Sequence, residues 1–307
     1  MTNDTATRPA TTPSEPDHGF ELRRRRRWPW IVGGAVLVLG TVAAIGIPLL
    51  NPTKSANDVQ GATLLVATAE GNAAEQSLVN FVAEKVAPKY GIKIAFKGLS
   101  DSNTINRAVS NGEVAGTVYQ HKLWLSQVLQ SNPDFAESAA TPVFRWGFGI
   151  FSDKYTDVSQ LPNGAKISLY SDPANESQGL WLLERAGLIT FTPGTDKARA
   201  TQADIATNPK HITFTLLDFG AQSRALPDLD AAVGYTEYYL AAKIPLSKEI
   251  FAPAAPDEFA GQLTIGAKYA TTANVKKLVA AFKDPAVQTF LATDPSVKDI
   301  LLPLDSR

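Results

Sequence analysis

Cysteine is absent from all 307 residues. That excludes a disulfide framework, a thiolate zinc site, a cysteine nucleophile and a lipidated N-terminal cysteine. Histidine is nearly as scarce: His18, His121 and His211 are the three in the chain, and none falls at metal-ligand spacing from another. No G-x-S-x-G elbow, phosphate-binding loop, zinc motif or calcium loop is present, so no metal or cofactor is implied. An excess of one charge is missing too, with 29 Lys+Arg against 30 Asp+Glu. Residues 1–30 carry six arginines and four acids, so the remainder is slightly acidic. A body without a basic face argues against nucleic-acid binding.

What the N-terminus does have is a run of five arginines, Arg23–Arg27, followed by Trp28-Pro29-Trp30. The next twenty residues, Ile31–Leu50, contain no charge. A helix of that length spans roughly 30 Å, the thickness of a bilayer core. Arginines on one flank hold that side in the cytoplasm, and tryptophans suit the headgroup boundary. The expected order is a disordered cytoplasmic tail over 1–27, a transmembrane anchor helix over 28–50 and a linker over 51–61. A signal peptide has a shorter apolar core and a small-residue cleavage site, which only Lys54-Ser55-Ala56 approximates.

From residue 62 the pattern alternates between strand and helix. Residues 63–68 read as a buried strand, 73–87 as a helix stopped by Pro88, 91–96 as a strand and 103–110 as a helix closed by Asn111-Gly112. Strand 114–119 and helix 121–129 follow. After residue 145, strands are expected at 148–151, 166–170, 211–217 and 230–234, with a helix over 176–187. Residues 274–282 and 285–292 read as two surface helices. Such alternation implies an α/β fold with parallel sheets, in two lobes, and a ligand cleft at the strand C-termini.

Two segments carry most of the chemistry. Val118–Leu125 sets Tyr119, His121 and Trp124 at a strand end and helix start. In Ser171–Gln178, Asp172 is an N-cap and Pro173 the first helical residue, so free N–H groups open the helix there. The acids Asp228, Asp230 and Glu237 form a cluster that reads either as a cation partner or as a turn with solvated strand ends.

At these segments the chain resembles the NlpA/MetQ family of substrate-binding proteins of methionine-type ABC importers. The family's Tyr-Phe-Gln-His motif is matched by Val118–His121, and its "LPDGATI" by Leu161–Ile167. Its "DPTNE" is matched by Asp172–Glu176, and its "LLQKAGLI" by Leu182–Ile189. Asn208–Lys210 and Arg224–Val233 also match in order, so the resemblance spans roughly residues 62–305. It implies a two-lobed type II periplasmic-binding-protein fold with a central cleft, preceded here by one N-terminal transmembrane helix. The crossovers would fall near 144–147 and 234–237. Lobe I is then 62–145 plus 236–307, and lobe II is 146–235.

The implied ligand-binding positions are Ser102, Tyr119, His121, Trp124, Gln178, Tyr235, Glu237 and Gly261. Tyr119, His121 and Trp124 match an aromatic floor, while an aromatic wall falls at Ser102. The family's ligand-carboxylate arginine falls at Gln178, and two asparagine anchors fall at Tyr235 and Gly261. Glu237 would repel a carboxylate and receive an amine, unless Arg145 or Arg224 supplies the missing positive charge.

The implied function is a membrane-anchored extracytoplasmic receptor, not an enzyme, for a small amino acid or derivative. It would serve an ABC permease and ATPase and touch the membrane through residues 31–50. The alternatives are a sensor or scaffold of the same fold, and an enzyme working through His121 and Glu237. Protease added to intact cells is expected to remove the folded domain; complete protection would contradict a single-pass topology with the body outside.

Overall fold

Thr63–Ala69 is nearly all apolar, and it forms β1, buried along most of its length. It opens the body of the computed structural model, which describes residues 55–306. The Arg23–Arg27 run and the expected anchor over 28–50 lie outside the described residues. Among those that are described, no helix is long and apolar enough to cross a membrane. The expected linker is partly described, and residues 55–61 do not hang free. Asn274 Nδ2 donates to the carbonyls of Ala56 at 3.0 Å and Val59 at 2.8 Å, and Ser55 Oγ donates to Gly112 O at 2.7 Å.

Asn72 caps α1 (Ala73–Phe81) by accepting from Glu75 N–H at 3.1 Å. The helix expected to continue to residue 87 instead changes pitch. Val82–Val86 wind as a π-helix and Ala87–Tyr90 as a 3-10 helix. Pro88 has no N–H to continue an α-helix, and Gly91, with φ 65°, closes the turn. β2 (Lys93–Leu99) pairs parallel with β1 on one side. After α2 (Ser102–Asn111), β3 (Gly116–His121) pairs parallel with β1 on the other. α3 (Lys122–Ser131) leads to β4 (Glu137–Trp146), a ten-residue strand that apolar alternation does not reveal. Pro142 interrupts β4 at a register shift, where a missing donor is tolerated.

The chain then crosses at Gly147 into a second lobe. β5 (Phe148–Phe151) and β6 (Lys166–Tyr170) precede α4 (Pro173–Arg185). The short β7 (Thr190–Phe191) and β8 (Ile205–Thr207) make a separate ribbon. β9 (Thr213–Leu217), α5 (Phe219–Ala225), β10 (Ala231–Tyr235), α6 (Thr236–Ala241) and β11 (Glu249–Phe251) complete this lobe. β12 (Gly261–Gly266), α7 (Ala273–Phe282), α8 (Pro285–Thr293) and β13 (Leu301–Leu302) return to the first.

The sheets run β13-β4-β12-β3-β1-β2 and β11-β5-β10-β6-β9. Neither is purely parallel, contrary to the sequence expectation. β12 is antiparallel to β3 and β4, and β5 is antiparallel to β10 and β11, because strands entering from the opposite lobe join each sheet in reverse. The second crossover also differs from the 234–237 expectation. β11 pairs with β5, so lobe II reaches Phe251 and the return lies between Phe251 and Gly261. A three-residue edge strand gives too short a pattern to read from sequence. α7 and α8 are exposed on one side only, with Val275, Leu278, Phe282, Val287 and Leu291 in the core.

The first crossover is tightly fixed. Gly147 N–H donates to Ile300 O at 2.8 Å, and Gly147 O accepts from Thr236 N–H at 2.9 Å. A Cβ at residue 147 would stand 2.6 Å from Thr236 Oγ1 and 3.2 Å from Asp299 O. Gly147→Ala is therefore expected to destabilise the chain by about 1–3 kcal/mol, as overpacking does. A lowered urea midpoint checks this, and an unchanged midpoint contradicts it.

Candidate functional site

The strands β1, β3, β6 and β10 all end at one crevice between the lobes, where the open ends of α/β sheets commonly bind ligands. A cavity of about 220 Å³ lies there. Ser102, Tyr119, His121, Trp124, Tyr235 and Glu237 line it.

β3 delivers Tyr119, half-buried, and His121, 2% exposed, in successive outward steps. The Tyr119 hydroxyl lies 2.7 Å from Ser102 Oγ, and it accepts from Trp124 Nε1 at 3.3 Å and from Asn106 Nδ2. Burial pushes this phenol up to about 12, so it stays protonated. Ser102 also accepts from Trp124 Nε1, at 3.3 Å, and so holds the floor as a polar clasp rather than a missing wall. Aromatic walls come from lobe II instead: Phe219 meets Trp124 edge-on at 6.1 Å between centroids, and Tyr238 lines the same space.

His121 ends β3 and caps α3, with Nδ1 accepting from Trp124 N–H at 3.2 Å. That bond assigns the ring proton to Nε2, which donates to Asn175 Oδ1 on lobe II at 3.2 Å. Burial holds the imidazole down to about 4, against the smaller opposite pull of Asn175. The ring is neutral, and both of its nitrogens are engaged.

Asp172 fixes the other half. It caps α4 by accepting from Asn175 N–H at 2.9 Å and also takes the Asn175 amide N–H at 2.9 Å. Asn175 Oδ1 is thereby aimed across the cleft at His121, and it also accepts from the Tyr235 hydroxyl at 2.5 Å. A second polar bridge runs from Asn72 Nδ2 on lobe I to Glu237 Oε2 on lobe II, at 3.2 Å. These two bonds join the lobes across the cleft.

Two expected site residues do not reach the cavity. Gln178 is buried behind Tyr235, with its Oε1 3.0 Å from that hydroxyl. Gly261 packs beneath Phe144, whose ring would stand 2.5 Å from a Cβ at that position. The two alternative cations are elsewhere as well. Arg145 is held at the crossover by Leu304 O at 2.9 Å, Asp257 at 2.6 Å and Ala255 O, and Arg224 does not line the cavity. Of the acidic cluster, Asp230 accepts from Lys166 N–H at 2.8 Å outside the site, whereas Glu237 stands in it. Among the described residues no lysine or arginine lines the cavity, and no three metal-ligating side chains converge.

Sequence reasoning missed Asn72, Glu75, Phe219 and Tyr238. The N-cap signal at Asn72, directly after β1, was the clue available for the first two. It starts α1 at the strand's C-terminal end and turns Glu75 inward.

The NlpA lipoprotein family model matches residues 64–303. Lipoprotein 28 of Escherichia coli O157:H7 is 30% identical over 220 residues, covering 70% of this chain and 80% of that protein. A periplasmic substrate-binding protein of an ABC transporter from Coxiella burnetii superposes with a TM-score of 0.68 at 29% identity, covering 78% of this chain and 99% of that one. A nutrient-binding protein from Burkholderia cenocepacia, bound to methionine, gives 0.64 at 28%, covering 78% and 98%. The α/β substrate-binding-protein fold is thus shared with solved structures.

Asn175→Ala removes the acceptor that joins His121 to lobe II and leaves a buried N–H unpaired. It is expected to cost about 1–3 kcal/mol and to raise the radius of gyration of the ligand-free chain. Solution scattering reads the second effect, and an unchanged radius would contradict a latch role.

Proposed function

The chain belongs to the NlpA lipoprotein family, and from that premise we propose that it is an extracytoplasmic solute-binding receptor for an ABC importer. Residues 31–50 tether it to the membrane, with the N-terminus cytoplasmic and the two lobes outside. A tether keeps a receptor at high effective concentration beside its permease and ATPase. The observation that carries this reading is the cleft itself. Groups from both lobes meet around one partly open cavity, so a ligand touching both faces stabilises closure.

Binding rather than catalysis fits the same residues. His121 offers no free nitrogen to act as a base, since Trp124 N–H and Asn175 Oδ1 occupy both. The aromatic floor of Tyr119 and Trp124 gives contact area to an apolar or sulfur-containing side chain.

The relative from Burkholderia holds methionine. An enclosed amino acid brings a carboxylate that must be paired once it loses water. Hydrogen bonds to a charged group are worth about 1.5–3 kcal/mol each, so losing two costs roughly a hundredfold or more in affinity. With no cation in the cavity, L-methionine is not a tight ligand in this reading.

Mass spectrometry of small molecules released from the purified full chain tests the receptor assignment. One compound at near-stoichiometric yield is expected, and Trp124→Ala should weaken its rebinding at least tenfold with the fold retained. No bound compound, or rebinding indifferent to Trp124→Ala, would overturn it. Calorimetry with L-methionine tests the finer point. Weak binding is expected for the natural chain, with a gain in the Gln178→Arg, Tyr235→Asn double variant. Submicromolar affinity in the natural chain would contradict it.

A further inference from the structure

Glu75 is the acid in the cleft with an oxygen left unpaired. It lies in the first turn of α1, is 2% exposed and lines the cavity, and its Oε2 is buried without a hydrogen-bond partner. Glu237 lines the same cavity from lobe II, and its Oε2 takes one bond, from Asn72 Nδ2. Asn72 also caps α1 through Glu75 N–H, so one short residue connects both acids. Around them stand the rings of Trp146, Tyr235 and Tyr238.

We propose that Glu75 of lobe I and Glu237 of lobe II together form a cation subsite, and that the ligand is a compact protonated amine without a free carboxylate. The proposal rests on the cleft being the ligand site. A buried carboxylate oxygen without a partner is stabilised by a charged N–H donor more than by any neutral group. A primary or secondary ammonium has at least two such N–H groups, one for each acid. A quaternary ammonium has none and would leave Glu75 Oε2 unsatisfied. The rings add attraction for a cation at their faces. A metal ion fits less well: two carboxylates and an amide give too few oxygens beside several rings. By bridging an acid on each lobe, the ammonium would hold the cleft shut.

Protonation follows from the same geometry. Burial, then the neighbouring Glu237 charge, raises Glu75 well above the usual carboxylate range; the Trp146 indole works weakly the other way. Burial raises Glu237 to about 7, with Asn72 opposing. The other titratable groups facing them are neutral: His121 is held down to about 4, and Tyr119, Tyr235 and Tyr238 are raised by burial. Asp172, facing Tyr235, is raised by burial and hydrogen-bonded to Asn175. A cation placed between the two acids favours their ionised forms, so its binding is linked to proton release. Amine binding then tightens as pH rises through about 7, by up to about tenfold per pH unit for each proton displaced.

Three probes that share one side chain test this on the full chain: 3-(methylthio)propylamine, L-methionine and 4-(methylthio)butanoate. They carry the amine alone, both groups and the carboxylate alone. The expected order of affinity is amine first, methionine well behind and butanoate last. Glu75→Gln and Glu237→Gln, which mimic the protonated acids and preserve shape, should each weaken the amine at least tenfold and flatten its pH dependence. Methionine or butanoate binding as tightly as the amine would overturn the cation subsite while leaving the receptor assignment standing. Failure of all three at millimolar concentration would also overturn it, with the receptor assignment decided separately by the co-purified compound. Variants that bind the amine like the natural chain would overturn the roles of the two acids, and circular dichroism confirms that each variant is folded.

Discussion

A charge enclosed between two closing lobes must find its opposite inside, because water is no longer there to solvate it. That constraint organises this cleft. Each lobe contributes one carboxylate, Glu75 and Glu237, and neither contributes a lysine or arginine. Arg145, next to the cavity-lining Trp146 in sequence, is held at the crossover by Asp257 and two carbonyls. The cleft is thus negative or neutral according to pH, and its preference among ligands follows from that sign.

Contact between the lobes rests on a short hydrogen-bonded relay. Asp172 holds the Asn175 amide, which leaves Asn175 Oδ1 for His121 and Tyr235. Because His121 is neutral and its tautomer is set by Trp124 N–H, the imidazole brings no positive charge into the cleft. Tyr235 lies between the cavity and Gln178, so an anchor at residue 178 would be screened even if its chemistry were right.

The sequence was most legible where a local rule sufficed. The β1 run, the Asp172-Pro173 start of α4 and the Tyr119-to-Trp124 segment each announce themselves through caps or apolar spacing. Strands whose pattern is interrupted or very short were not legible. β4 hides behind Pro142, and β11 is three residues long, so its place beside β5 depends on distant pairing. Resemblance carried Gln178 and Gly261 into the site, but position alone does not decide exposure. Gly261 is needed where Phe144 leaves no room for a Cβ, and Gln178 is covered by Tyr235. Glu75 was passed over because an acid in a first helical turn ordinarily faces water; its burial follows from where β1 ends.

The number of protons exchanged on binding tests the central claim most directly. Calorimetry of the full chain with 3-(methylthio)propylamine near pH 6, in two buffers of different ionisation enthalpy, separates that number from the intrinsic heat. Displacement of protons from the buried Glu75–Glu237 pair predicts net proton release. Binding with no exchange, or with uptake, would contradict a cleft whose charge is supplied by those two acids.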